Sequence, residues 1–151
     1  MNERAPDLRL QFLSRRTLLA PIRAMVVSLS ERAGFDEVTC GHLGLAVDEA
    51  LANVIKHGYG LREDCRIWMS VWQLEDPAGI RVVIEDLARQ VDPERIRGRD
   101  LDDVRPGGLG VHLMRSTMDV VRFERRAEGG MRLTLEKLVA AEPVSAEPSA
   151  A

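Results

Sequence analysis

The stretch LGLAVDEALANVIKHGYG, Leu43–Gly60, decides the fold of this chain. At about 100° per residue its apolar side chains form one stripe, which is the signature of an amphipathic helix. The stripe consists of Leu43, Val47, Ala50, Leu51 and Val54. Three polar side chains of different chemistry, Glu49, Asn53 and Lys56, fall together on the opposite side, about one helical turn apart. The stretch therefore predicts a helix with one buried face and one face that carries functional groups.

Hydrophobic periodicity and turn residues predict the elements around this helix. The predicted ranges are a strand at Leu8–Leu13, helices at Thr17–Ala33 and Asp36–His57, strands at Ile67–Leu74 and Ile80–Glu85, a loop at Leu87–Gly110, a helix at Val111–Met118, and strands at Val120–Arg125 and Met131–Lys137. Turns are predicted at Asp76-Pro77-Ala78-Gly79 and at Glu128-Gly129-Gly130. Strands paired as hairpins, with helices to cover one face, predict a two-layer α/β sandwich with a mixed, mostly antiparallel sheet.

Length and composition limit the classes of function. The 151 residues predict one domain over 1–139, followed by a disordered tail at 140–151. A net charge of -3 with scattered basic residues argues against direct binding of nucleic acid. No apolar run reaches the ~20 residues of a membrane span, and the first residues do not look like a signal peptide. Cys40 and Cys65 are not spaced as metal ligands, so we expect two reduced thiols in a cytoplasmic protein.

The polar line on the central helix suits a polyphosphate. A carboxylate such as that of Glu49 can accept a proton, the amide oxygen of Asn53 suits Mg²⁺, and the ammonium of Lys56 suits a phosphate. Periodicity alone, however, favours the simpler interpretation that the line is the solvated side of an amphipathic helix.

Two further blocks carry chemistry. In VVIEDLARQVDP, Val82–Pro93, Asp86 ends an apolar strand and could accept the exocyclic amine of adenine, or simply be a turn residue. In PGGLGVHLMRSTMD, Pro106–Asp119, glycines before a helix leave backbone N–H groups free to meet phosphate oxygens. His112 in that helix is expected to be a surface or half-buried side chain. The chain contains neither a Walker A loop nor a G-x-G-x-x-G turn.

In this order the three blocks resemble the N, G1 and G2 boxes of the GHKL superfamily, most closely its anti-sigma factor serine kinases. The resemblance implies a Bergerat-type ATP-binding fold that uses ATP and Mg²⁺. It implies that Asn53 ligates the metal bridging the phosphates and that Glu49 is the catalytic base toward a substrate serine. Asp48, about 100° away from Glu49, is expected to be an ordinary surface or capping acid. The other residues expected to contact the nucleotide are Lys56, Asp86, Ala88, Gly107, Gly108, Leu109, Gly110 and Val111.

The sequence departs from the family pattern at three positions. Ala88 and Gln90 replace the two glycines of the Asp-x-Gly-x-Gly box, and Met131 follows Gly130 where the family has threonine. Thr134 is not expected to substitute, because of the strand direction. Gln90 adds bulk, so Gln90→Gly is expected to tighten nucleotide binding. If the loop is instead repositioned, the change would have no effect or would weaken binding.

The resemblance implies a kinase that phosphorylates a serine of an anti-sigma factor antagonist and regulates a sigma factor by partner switching, as a homodimer without a membrane or nucleic-acid partner. The alternative is a non-catalytic or weakly nucleotide-binding partner-switching module with a degenerate G1 box. A stand-alone ATPase is a poorer interpretation, since no second domain would couple hydrolysis to motion. Histidine kinases share the nucleotide site, but we expect 151 residues to leave no room for their phosphoacceptor domain.

Overall fold

The computed structural model describes residues 3–96 and 109–140, which form three helices and one five-stranded sheet. In chain order the elements are β1 (Leu8–Leu13), α1 (Leu19–Ala33), α2 (Glu37–Asn53), β2 (Arg66–Glu75), β3 (Ala78–Glu85), α3 (Leu109–Thr117), β4 (Val120–Arg125) and β5 (Met131–Leu138). Short 3₁₀ turns lie at Arg16–Leu18 and Pro93–Arg95. These bounds agree with the predicted elements to within a few residues. Apart from its first residue, the predicted tail at 140–151 lies outside the described residues.

The sheet has the strand order β1-β2-β3-β5-β4. Neighbouring strands in the chain pair as the hairpins β2–β3 and β4–β5, and the pairing of β3 with β5 joins the two hairpins. All four pairings within the described residues are antiparallel, so a parallel pair of the predicted mixed sheet is not found there. The predicted two-layer α/β class is confirmed.

The turn between β2 and β3 is tighter than the sequence predicts. It contains only Asp76 and Pro77, and Ala78 and Gly79 already pair with Glu75 and Leu74. Gly79 is needed for close approach, because a Cβ at this position would collide with the backbone carbonyl oxygen of Lys137 on β5. The predicted turn at 76–79 was therefore wrong for Ala78 and Gly79, which belong to β3.

The two long helices begin and end at residues that stabilise helix termini. Gly34 adopts a left-handed conformation (φ 101°) after α1, and the Asp36 carboxylate accepts a hydrogen bond from the Thr39 N–H at 2.7 Å to cap α2. Where the helices cross, a Cβ on Gly44 would come 2.8 Å from Val27 Cγ2. A larger residue at Gly44 would therefore push α1 away from α2.

The hydrophobic core lies between the three helices and one face of the sheet. Alternate residues of the central strands are buried against the apolar stripe of α2, as period-two alternation requires. The core includes Ile67, Met69, Val71, Ile80, Val82, Ile84, Leu133 and Leu135 from the sheet and Val26, Leu43, Val47, Leu51 and Met114 from the helices. No helix in the described part of the chain is long and apolar enough to cross a bilayer.

Candidate active site

A cavity of about 260 Å³ lies between α2, α3 and the β3–β5 part of the sheet. Its walls are mainly apolar and include Val54, Ile84, Ile96, Val111, Met114 and Leu133. Two side chains of the predicted site, those of Asn53 and Asp86, bring polar groups to this lining, and Ala88 also contributes to it. An apolar cavity with a few polar groups is typical of a site for a flat, partly polar ligand such as a nucleobase.

Asp86 follows the last residue of β3 and is only 5% exposed. Its Oδ1 accepts hydrogen bonds from the backbone N–H of Ala88 at 2.9 Å and of Met131 at 3.1 Å. Burial raises the pKa of this carboxyl above its ordinary 3.8, although the two N–H donors and the charge of Arg126 partly oppose that shift. One carboxylate oxygen is thus held by the backbone, and the other is available to a ligand donor.

The two residues that replace glycines after Asp86 do not strain the backbone. Among the described residues, Leu61 is the only non-glycine residue with a positive φ, so neither Ala88 nor Gln90 occupies a conformation that favours glycine. Ala88 packs tightly beside Gly58, where a Cβ would lie 3.0 Å from the Ala88 Cβ. Gln90 does not line the cavity, and its amide instead donates hydrogen bonds to backbone carbonyls of the β4–β5 turn. The expected crowding of the pocket by Gln90 is therefore wrong.

The carboxyl end of α2 carries Asn53 into the cavity wall. Its amide has no hydrogen-bond partner among residues 3–96 and 109–140, which leaves its oxygen available to a ligand. The helix continues as a wider π turn, Val54–Gly58, in which the N–H of Tyr59 donates to the Val54 carbonyl at 2.8 Å. This turn interrupts the regular helical periodicity, so the predicted line of polar groups ends at Asn53. Lys56 is exposed and does not line the cavity; its contact with a phosphate stays a prediction.

Glu49 lies one turn before Asn53, half-buried beside the first turn of α3. A Cβ on Gly110 would come 2.6 Å from Glu49 Oε2 and 3.2 Å from Glu49 Cβ, so glycine allows the two helices to meet here. Glu49 does not line the cavity and makes no hydrogen bond or ion pair in the described part of the chain. Its carboxylate is therefore unpaired within the described residues, and its role as a base stays a prediction.

Helix α3 begins at Leu109, two residues earlier than predicted. The backbone N–H groups of Leu109, Gly110 and Val111 thus belong to its first turn, where N–H groups lack partners within the helix. Val111 lines the cavity and Leu109 is 55% exposed. Gly107 and Gly108, which were also expected to contact phosphates, lie outside the described residues.

Asp48 does not lie where the sequence places it. It forms an ion pair with Arg23 of α1, with 3.5 Å between Oδ1 and Nη1, but its side chain is only 18% exposed and lies within α2, so the expected surface or capping position is wrong. His112 is half-buried, and its Nε2 has no hydrogen-bond partner among the described residues. Thr134 is buried and borders the charged groove on the opposite face of the sheet, away from the cavity. Cys40 and Cys65 are not disulfide-bonded.

Sequence reasoning missed several residues that build the site. Met131 lines the cavity, and its backbone N–H donates to the Asp86 carboxylate. In the sequence Met131 stands out only as the residue that replaces the family's threonine. The Tyr59 hydroxyl donates to the Arg66 carbonyl at 2.6 Å and accepts from the Leu87 N–H at 2.7 Å, which joins the end of α2 to the loop after β3. Burial raises the pKa of Tyr59 above its usual 10.0, so it remains a donor at neutral pH. Neither the contacts of Met131 nor the hydrogen bonds of Tyr59 correspond to a periodic pattern or a motif in the sequence.

Comparison with known proteins agrees with this geometry. Residues 12–137, which include all three blocks, match the family of histidine kinase-like ATPase domains. The serine-protein kinase RsbW of Listeria innocua serovar 6a is 31% identical over 108 residues, which are 67% of this chain and 68% of that protein. The serine-protein kinase RsbW of Staphylococcus aureus (strain bovine RF122 / ET3-1) is 30% identical over 132 residues, or 82% of this chain and 80% of that protein.

A solved structure shows the same fold. The crystal structure of the RsbU and RsbW domains of Rv1364c from Mycobacterium tuberculosis superposes with a TM-score of 0.59 at 19% identity. The match covers 89% of this chain but 33% of that longer chain. The predicted resemblance is confirmed by the family match and by the two kinases together. The chain therefore belongs to the histidine kinase-like ATPase domain family and, within it, to the anti-sigma factor serine kinases of the RsbW type.

Proposed function

We propose that this protein binds Mg-ATP in the α2–α3 cavity and transfers the terminal phosphoryl group to a serine of an anti-sigma factor antagonist. The observation that carries the proposal is a pair of acceptors on a mainly apolar lining, one on Asp86 and one on Asn53, that have no partner among the described residues. His57 and Arg89 are the other charged or polar side chains that the described lining contains. Asp86 binds the amino group of adenine through its free carboxylate oxygen. The first turn of α3, with its unpaired N–H groups, lies beside the cavity and binds the phosphate oxygens.

The residues present fit a magnesium ion. Among the described residues no three His, Cys, Asp or Glu side chains cluster as a complete metal site. Mg²⁺ does not need one, because it keeps several waters and is usually held by one or two protein oxygens together with substrate phosphates. The unpartnered amide oxygen of Asn53 is such a ligand. When bound, the ion neutralises charge on the phosphates during transfer.

Glu49 is the proposed base toward the incoming serine. It lies one helical turn from Asn53 at the edge of the cavity, where a hydroxyl of a docked protein can reach it. Its carboxylate accepts the hydroxyl proton as the serine oxygen attacks the phosphorus atom. Phosphoryl transfer depends mainly on positioning and charge neutralisation, so a base, an amide ligand and helix N–H groups form a sufficient set.

The same proposal includes the partners and the assembly. The names of the relatives support a serine-protein kinase. We propose in addition that the chain binds an antagonist with a phosphorylatable serine and a sigma factor, as a cytoplasmic homodimer. The alternative, a binding module without catalysis, was based on decay of the G1 box. Because neither Ala88 nor Gln90 strains the backbone and Gln90 lies outside the cavity, the changed box is no argument against nucleotide binding.

Titration of the full chain with a fluorescent ATP analogue, with Mg²⁺ and with EDTA, tests the nucleotide site. We expect saturable binding that is tighter with Mg²⁺. Transfer of label from γ-labelled ATP to candidate antagonists encoded in the same genome then tests the kinase. Absence of Mg-dependent binding would overturn the site, whereas binding of nucleotide and antagonist without transfer would favour the binding module.

Asp86→Asn is expected to make the protein more stable but a weaker ATP binder. The asparagine Oδ1 can accept the same two N–H groups, while its amino group replaces the acceptor that adenine needs. We expect ATP affinity to fall about tenfold or more. Calorimetric titration measures the affinity, and thermal denaturation at neutral pH measures the stability. A lower Tm for the variant would show that the ionised carboxylate stabilises the fold.

The pH dependence of the wild-type protein follows from the same raised pKa. Native Asp86 binds its proton more tightly than the unfolded chain does, so its contribution to the free energy of unfolding is fully present below pH 3.8. That contribution is lost as the pH rises through the native pKa. The stability advantage of Asp86→Asn should therefore disappear in acid, and wild-type ATP affinity should fall as Asp86 becomes protonated.

Gln90→Gly is expected to weaken ATP binding, not to tighten it. The substitution removes two hydrogen bonds to the β4–β5 turn and adds backbone freedom next to Asp86. We expect affinity to fall about threefold to tenfold. Tighter binding by the glycine variant in the same titration would restore the original expectation that Gln90 obstructs the nucleotide.

A further inference from the structure

Arg126 begins the turn between β4 and β5, and its side chain is unusually well buried, with 12% exposed. A buried guanidinium is costly unless ion pairs and hydrogen bonds compensate the loss of water. Its Nε lies 3.0 Å from Glu85 Oε2, and its guanidinium carbon lies 5.3 Å from the centre of the Trp68 ring. The side chain is thus fixed on several sides, which suits a structural anchor.

The Arg126 side chain also contacts Asp86, the residue that is proposed to bind adenine. Arg126 Nη1 donates a hydrogen bond to the backbone carbonyl of Asp86 at 2.6 Å. Gly130, at the end of the same turn, lies so close to that carbonyl that a Cβ there would collide with it. Met131, the next residue, accepts a hydrogen bond from the Asp86 N–H at its carbonyl and donates its own N–H to the Asp86 carboxylate, both at 3.1 Å. The β4–β5 turn therefore holds both the backbone and the side chain of Asp86.

Gln90 ties the other end of the loop to the same turn. Its amide nitrogen donates to the carbonyl of Arg126 at 2.7 Å and to that of Gly130 at 3.2 Å. The loop that leaves β3 is consequently fastened at Asp86 and again four residues later. A loop fastened twice has little freedom to move with the ligand, in contrast to a loop built from glycines.

We propose that Arg126 is a positioning residue that sets the preference for adenine by fixing the main chain of Asp86 against the β4–β5 turn, with Gln90 as its partner. The inference rests on the proposed nucleotide site and goes beyond it, because Arg126 does not line the cavity. The fixed loop makes the site ready before the ligand arrives, which lowers the ordering cost of binding. Arg126 thereby sets the base preference through Asp86, whereas α3 would bind the phosphates, and Asn53 their metal ion, for any nucleoside triphosphate.

The test compares Mg-ATP with Mg-ITP, whose base has a carbonyl in place of the amino group. We expect the wild-type chain to bind ATP about tenfold more tightly or better. Arg126→Lys keeps the charge, but a single ammonium cannot reproduce the planar fork of donors. In this variant the ratio of the two dissociation constants should fall about tenfold, through weaker ATP binding at unchanged ITP affinity. A purely structural role would weaken both nucleotides equally.

Arg132→Lys is the matched control, because Arg132 also pairs with Glu85, at 3.2 Å, but makes no contact with Asp86 in the described structure. Its ratio should stay at the wild-type value. If Arg126→Lys does not fold, Gln90→Ala should show the same change in ratio to a smaller extent. A folded Arg126→Lys or Gln90→Ala variant that keeps the wild-type ratio overturns the inference.

Hydrogen exchange of the nucleotide-free protein separates this inference from the proposed function. The N–H groups of Ala88 and Met131 should exchange about tenfold faster in Arg126→Lys, since both donate to the Asp86 carboxylate. A wild-type chain that binds neither nucleotide would overturn the proposed function, while unchanged exchange at these two amides would overturn the positioning role of Arg126.

Discussion

Glu49→Gln is expected to lower phosphoryl transfer to serine by about 10²–10⁴-fold, the usual contribution of a positioned base, at nearly unchanged Mg-ATP affinity. The two properties separate because Glu49 does not line the cavity, although it lies one helical turn from Asn53. Glutamine has almost the same shape, so it should keep the close contact with Gly110. The substitution removes only the ability to accept the proton.

Label transfer from γ-labelled ATP, measured for wild type and variant against the same antagonist, checks this expectation, and calorimetry checks the affinity. Gly110→Ala provides a second perturbation, since its methyl group would displace the Glu49 carboxylate while leaving the base chemically intact. It should reduce transfer less than Glu49→Gln does. A Glu49→Gln variant that transfers phosphate at the wild-type rate would show that the kinase uses another base.

Asn53→Ala is expected to abolish the Mg-dependent part of ATP binding while leaving the fold intact. The side chain makes no hydrogen bond within the described residues, so its removal leaves no protein group unpaired. Loss of a metal ligand should weaken Mg-ATP by about tenfold to a hundredfold or more, given that even outer-shell partners contribute that much. In EDTA the variant and the wild type should bind the nucleotide alike.

Asp48→Asn is the control for the Asn53 measurement, because Asp48 lies on the same helix but pairs with Arg23 instead of lining the cavity. It should leave Mg-ATP affinity unchanged. Calorimetry with and without Mg²⁺, combined with thermal denaturation, distinguishes a lost ligand from a damaged helix. Equal Mg-dependent affinity of Asn53→Ala and wild type would exclude Asn53 as the metal ligand.

The sequence alone predicted those features that depend on residues close to one another along the chain. The stripe from Leu43 to Val54 is periodic, and it identified the central helix together with its polar side. The position of Asp86 at the end of an apolar strand was predicted from a local signal, whereas its nucleotide role follows only from the resemblance and stays a prediction. Gly79 was misplaced because a glycine two residues after a proline looks the same in the sequence whether it makes a turn or permits close approach to another strand.

Other features depend on contacts between distant segments and could not be predicted. The π turn after Asn53 ends at Gly58, and the next residue, Tyr59, is held by the distant Leu87, whose N–H donates to the Tyr59 hydroxyl at 2.7 Å. The hydrophobic periodicity of the sequence does not predict this turn. Gln90 looked like an obstruction because its partners, the carbonyls of Arg126 and Gly130, lie far along the chain. Arg126 itself gave no signal, since an arginine in a turn is ordinarily solvated.

The strand order has a consequence for how the molecule assembles. Each hairpin, β2–β3 and β4–β5, joins strands that are adjacent in sequence, and such a hairpin can form within microseconds. The pairing of β3 with β5, in contrast, requires closure of a much longer loop. The hydrogen bonds between Asp86 and Met131 lie at the end of this β3–β5 pairing. We therefore expect the cavity, and with it the proposed adenine site, to form late in folding, when the two hairpins dock. A local opening that separates the β4–β5 hairpin from β3 would remove the cavity, while most of the helical layer would stay packed.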